Sequence, residues 1–96
     1  MTDAKMDEIR GRVIRELEEA QRRVAMIESE LNRIGNSFIS VGTKLTDNPP
    51  NVPSLDKATV EKDIAALWRA TSEYDKAIQT RSQKTDEWNK IRQSNS

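Results

Sequence analysis

The chain has 96 residues, 34% of them apolar and 33% charged, with 16 Lys and Arg against 16 Asp and Glu. That length allows one small domain, and so high a charged fraction with helical periodicity reads as long, water-laced helices or coiled coil. With no cysteine, no histidine and no excess of cations, the composition excludes disulfides, the usual zinc sites and imidazole acid–base work, and it argues against a nucleic-acid partner.

The N-terminus, Met1-Thr2-Asp3-Ala4-Lys5, has no apolar core of a signal peptide, and no later run is long enough to cross a bilayer. The expectation is a cytoplasmic protein with no membrane insertion, leaderless export being left open. Thr2 is placed as an N-cap, with Asp3, Asp7 and Glu8 near the positive end of the helix dipole. The first helix is predicted over about 3–45. With Leu17 at heptad position a, the a series is Arg10, Leu17, Val24, Leu31, Phe38 and Leu45, and the d series is Met6, Val13, Ala20, Ile27, Ile34 and Val41. Only Arg10 breaks this alternation of four and three, which holds side chains on one face of a helix.

Gly35-Asn36 is a common helix stop. A stop would let the apolar phase drift, yet Ile34, Phe38, Val41 and Leu45 stay in register, so the helix is read through to Leu45. Gly35 and Gly42, seven apart, share a face that either admits a neighbouring backbone or is merely tolerated. Asp47 to Pro53 holds three prolines and cannot be helical. A rigid loop at about 46–54 suits an antiparallel hairpin.

The second helix, about 55–93, is given Ser54 as its cap and Asp56 in its first turn. Its seam is read as Val60, Ile64, Leu67, Thr71, Tyr74, Ile78, Arg81, Thr85, Trp88 and Arg92, with Ile91 adjacent and Gln93–Ser96 fraying. Equal helix rise on both sides of the loop sets together residues whose numbers add to about 100. Charge agrees: residues 1–19 hold six acids and four bases, and the facing 76–92 hold five bases and two acids. The intrachain core is expected from Leu17, Val24, Ile27, Leu31, Ile34, Phe38, Ile64, Leu67, Tyr74, Ile78 and Trp88.

Ile9, Ile14, Met26, Ile39 and Trp68 fall off the seam. Beside so thin a core they are read as a second interface, with a homodimer completing a four-helix bundle. The fold is therefore expected to be all-α, one antiparallel coiled-coil-like hairpin spanning 1–96. Glu16, Glu18, Glu19, Glu28 and Glu30 lack the histidine or matching acids of a di-metal site and read as solvated charge paired with Arg12, Arg15, Arg22 and Arg23. Arg81 is read as packing its stem and reaching water with its head. Trp68, Tyr74 and Trp88 are read as core or interface anchors rather than a ligand platform. No nucleophile–base set, phosphate loop or cofactor fingerprint is present; the expectation is a non-enzyme with no cofactor, no metal and no small-molecule substrate.

The helix, Pro/Asn-rich turn and helix, with Leu45, Asp47, Pro49, Asn51, Leu55 and later Tyr74, resembles the small hairpin subunits of type III secretion needles around the loop. The longer, more regularly heptad first helix and the polar end of the second depart from that pattern. Trp68-Arg69-Ala70 has alanine where leaderless secreted hairpins carry the glycine of a Trp-x-Gly turn, and it falls inside the second helix. The chain is assigned to neither family. Its function is read as a self-associating protein–protein interaction and assembly module, whose partner is itself or another helical protein. The alternatives are a needle-like polymerising subunit of a secretion or filament apparatus, and a small chaperone or adaptor.

Overall fold

From Asp3 to Thr46 the chain forms one unbroken helix, α1, in the computed structural model, which is described here for residues 3–93. Thr2, the expected N-cap, and the expected fraying of 94–96 lie outside the described residues. The helix passes through Gly35 and Gly42, neither of which has a positive φ. A methyl group added at either would meet nothing within 4 Å. The close approach of backbone offered as one role for these glycines is therefore not made by the chain's own second helix.

Beyond α1 the loop is tied back by main-chain bonds. The Asp47 N–H donates to the Thr43 carbonyl at 3.1 Å and the Asn51 N–H to the Lys44 carbonyl at 2.9 Å. These bonds occupy two of the carbonyls that a helix end leaves open. Lys44 Nζ also reaches the Ser54 carbonyl at 3.2 Å. A single 3-10 turn, Val52–Ser54, carries Pro53 near its start, where the missing N–H costs nothing.

The second helix, α2, spans Lys57–Gln93. Its cap is Asp56, not Ser54. The Asp56 carboxylate accepts from the Ala58 N–H at 3.2 Å and from the Thr59 hydroxyl at 2.6 Å, and these bonds hold it below the usual aspartate pKa. Ser54 instead donates its hydroxyl to the Asn51 carbonyl inside the 3-10 turn. The rigid proline turn continues through Ser54, so the first free helical N–H groups meet Asp56 two residues later. Asp56→Ala is expected to lower stability by about 1 kcal/mol, the usual loss for an N-cap. Ser54→Ala should leave the urea midpoint nearly unchanged; equal losses from both would reject the assignment.

The two long helices pack against each other as a hairpin, with no strand among the described residues. The chain divides into two units, Met1–Met26 with Tyr74–Ser96, and Ile27–Glu73. In the second, Ile27 and Ile34 of α1 are buried, Ile34 being 1% exposed, while Leu31, Phe38 and Val41 are half-buried. Opposite them α2 buries Asp63, Ala66 and Ala70. In the first unit Val13, Ala20 and Val24 are buried against α2, which buries Ala77 there.

The α1 stripe thus lies on its d series, with Val24 the buried member of the a series. The seam of α2 differs from the expected one. Asp63, Ala66, Ala70 and Ala77 each stand one residue before Ile64, Leu67, Thr71 and Ile78, which turns α2 by about 100°. Ile64 is left 43% exposed, and Leu67, Tyr74, Ile78 and Trp88 are half-buried. The reason is volume. Branched side chains on α1 fill the space between the helices, so small residues opposite them give close packing, whereas Ile64 at the seam would hold the helices apart.

Candidate interaction surface

The register set by the loop brings polar groups of the two helices together within each unit, in the Ile27–Glu73 unit along one flank of the seam. In the Ile27–Glu73 unit the Ser37 hydroxyl donates to Asp63 Oδ2 at 2.5 Å, and Arg33 Nη1 lies 3.5 Å from Asp63 Oδ1. Arg33 also forks onto Glu30, with bonds of 2.8 and 3.2 Å. That fork holds the Glu30 carboxyl below its ordinary pKa and raises the guanidinium. Asp63 is only 5% exposed, yet no buried side-chain polar atom among the described residues lacks a partner.

The Met1–Met26 and Tyr74–Ser96 unit carries the matching pair. Lys84 Nζ donates to Glu16 Oε2 at 2.6 Å and lies 3.5 Å from Glu87 Oε2. The hydrogen bond from Lys84 lowers the Glu16 pKa and raises that of the lysine. In both units the cross-helix partners, Glu16 with Lys84 and Ser37 with Asp63, have numbers adding to 100. The expected register and the expected pairing of the acidic start of α1 with the basic end of α2 are both realised.

Linkage gives the sign of the pH effect. A carboxylate with a lowered pKa stabilises the fold above its unfolded-state value, and that contribution is lost as pH falls through the folded value. A lysine with a raised pKa contributes below its unfolded value and loses this only at strongly alkaline pH. The melting temperature is therefore expected to drop as pH falls below about 4, the ordinary carboxylate range. The drop should shrink in Lys84→Gln; an unchanged drop would show that Glu16 does not carry it.

The opposite flank of the Ile27–Glu73 unit is apolar. Val41 and Leu45 of α1, Val52 and Leu55 of the loop, and Val60 of α2, with Lys57 and Glu61 beside it, line an open groove of about 460 Å³. Along the same flank Phe38 and Leu67 are half-buried, Ile64 is exposed, and at the outer edges Ile39 and Trp68 are each 67% exposed.

Of the five residues read as a second interface, Ile39 and Trp68 fall in this unit. Ile9, Ile14 and Met26 fall in the other. There Ile9 is half-buried among Lys5, Glu8, Arg12 and Arg15, Ile14 is partly exposed and Met26 is exposed. Ile64, which the sequence reading gave to the intrachain seam, belongs with the open flank, whereas Phe38 is half-buried between seam and flank. The pattern that would have found them is Asp63, Ala66, Ala70 and Ala77, a second stripe at heptad spacing.

Among the described residues no group of three or more Asp or Glu is placed to hold a metal ion, and no helix is long and apolar enough to cross a membrane. Glu16 and Glu30, two of the acidic candidates, are engaged with Lys84 and Arg33. Compared with known proteins, the chain matches no family model, no curated protein and no solved structure.

Proposed function

We propose that this chain is a non-enzymatic assembly module, a helical hairpin that self-associates, and that two copies complete a four-helix bundle. One observation carries the reading: surface left uncovered. The chain exposes 7304 Å², whereas a folded monomer of 11.0 kDa exposes about 5,600 Å². The surplus, roughly 1,700 Å² per chain, is about twice what a standard interface removes from each partner, ~800 Å², and lies in the range of a larger obligate one.

The thin core points the same way. Half of the buried apolar side chains are alanine, and only Ile34 and Val24 are large and fully buried. A core of that kind gives marginal stability, which a second copy raises by mass action.

The test is molar mass by light scattering across a wide concentration range. A plateau at twice 11.0 kDa is expected. A mass that climbs without limit would mean head-to-tail growth, as in a polymerising subunit, and a single-chain mass throughout would overturn self-association.

A further inference from the structure

We infer that Glu16, Lys84 and Glu87 form an acid-released clasp on the end unit, Met1–Met26 with Tyr74–Ser96. With the clasp released, the end unit opens as one body while the Ile27–Glu73 unit keeps its helices paired. Opening bares Val13, Ala20 and Val24 of α1 and Ala77 of α2.

Burial in the end unit stops well short of the chain ends. Among the described residues, α1 buries nothing before Val13 and α2 nothing after Ala77. Lys84 stands one heptad beyond Ala77, so its 2.6 Å bond to Glu16 joins the helices where α2 offers only half-buried and exposed side chains. The α2 strand of this unit is also a weak helix. Thr80 and Thr85 turn their hydroxyls onto the carbonyls of Lys76 and Arg81 at 3.0 and 2.8 Å, a pattern that loosens a helix slightly.

The Ile27–Glu73 unit is closed differently. It contains the tied proline loop, the buried Ile27 and Ile34, and the Ser37 bond to Asp63. Opening in the reverse order would leave all of Ile27–Glu73 as a slack loop, and closing such a loop costs entropy. The free end therefore opens first, and units of this kind open below the global stability.

Glu16 is the acid-sensitive member. Facing it are Lys84 from α2, with Glu87 3.5 Å from that ammonium, and from α1 Arg12 at 3.9 Å with Arg15, Glu19 and Arg23 around it. Cations outnumber acids there, and the Lys84 hydrogen bond is the largest cause of the lowered Glu16 pKa. The clasp thus holds above the ordinary carboxylate range and is lost as pH falls through the lowered value. Protonation leaves Lys84 facing Arg12 and Arg15 with a neutral carboxyl between them.

The test is amide hydrogen exchange on the full chain, read residue by residue by NMR at one fixed protein concentration. At neutral pH the amides from Val13 to Val24 and from Ala77 to Trp88 should share one opening constant. It should exceed that of the Ile27–Glu73 unit by at least ~10-fold. Glu16→Gln and Lys84→Gln are each expected to raise it about fivefold, the upper end for a partly exposed ion pair. Together they should do no more than either alone. Glutamine matches glutamate and lysine as a helix former, so helix propensity does not enter. The protection that wild type holds over Glu16→Gln should vanish by about pH 2, below the carboxylate range.

Ile34→Val separates the two units. It should speed exchange in the Ile27–Glu73 unit about fivefold and leave the end unit within about twofold. Equal acceleration of both units would mean that the chain opens only as a whole. An opening constant graded residue by residue toward the termini would reduce the effect to fraying. Either result, or an end unit that Glu16→Gln leaves unchanged, would overturn the clasp.

Discussion

Ile34→Ala is expected to be among the most damaging single changes in this chain, costing about 2–5 kcal/mol. Ile34 is 1% exposed, and it faces a helix whose buried positions are alanine. The alanines have no side-chain length with which to fill the void, so the cavity term adds to the lost transfer energy. For a chain of this length the loss is worth about 10 °C or more in melting temperature. Urea unfolding followed by circular dichroism at one fixed protein concentration is the measurement, because association adds to apparent stability.

The converse substitution checks the rotated seam. Ala70→Leu adds apolar bulk at a buried position, and overpacking there is expected to destabilise by about 1–3 kcal/mol. If α2 used the face with Thr71 instead, leucine at position 70 would be harmless. A stability equal to wild type for Ala70→Leu would therefore restore the face read from the sequence.

Ser37→Ala is expected to cost about 1.5–3 kcal/mol, more than removing the charge that Ser37 serves. The hydroxyl donates at 2.5 Å to a carboxylate that is almost fully buried. Its removal strands a buried carboxylate oxygen, with Arg33 3.5 Å from the other oxygen. Asp63→Ala instead leaves a serine hydroxyl on the half-buried flank and adds a fourth alanine to Ala66, Ala70 and Ala77 on the seam. That change should cost less than about 1 kcal/mol, since it removes the buried carboxylate itself, and the Ser37 hydroxyl and Arg33 left behind lie where water can serve them.

The double variant should then resemble Asp63→Ala and fall short of the summed single losses. A double-mutant cycle in urea measures the coupling. Additive losses would mean that the Ser37 bond does not hold the carboxylate.

The long period of α1, its passage through Gly35 and the proline break were legible because they are local: spacing, helix propensity and missing N–H groups act within a few residues. The register was legible too, since equal rise on either side of a short loop leaves little freedom. The α2 cap was not. Both Ser54 and Asp56 are good N-caps, and the difference was made by the 3-10 turn that keeps Ser54 bonded to the Asn51 carbonyl. The open flank was half legible. Ile39 and Trp68 stand off any seam, but Ile64 lies on a heptad position and was counted as core.

By itself the sequence determined an all-helical chain, two long helices, a rigid turn and antiparallel docking with partners adding to 100, because hydrophobic period and chain geometry fix these without reference to a neighbour. Only the tertiary structure decided which face of α2 docks. Counting apolar residues favours Ile64, Leu67, Thr71 and Ile78, but burial is a property of two surfaces at once. The branched side chains of α1 need small partners, and the Asp63 carboxylate needs the Ser37 hydroxyl, so the helix turns by one residue to meet both. That turn leaves Ile64 exposed beside Trp68 on the apolar flank.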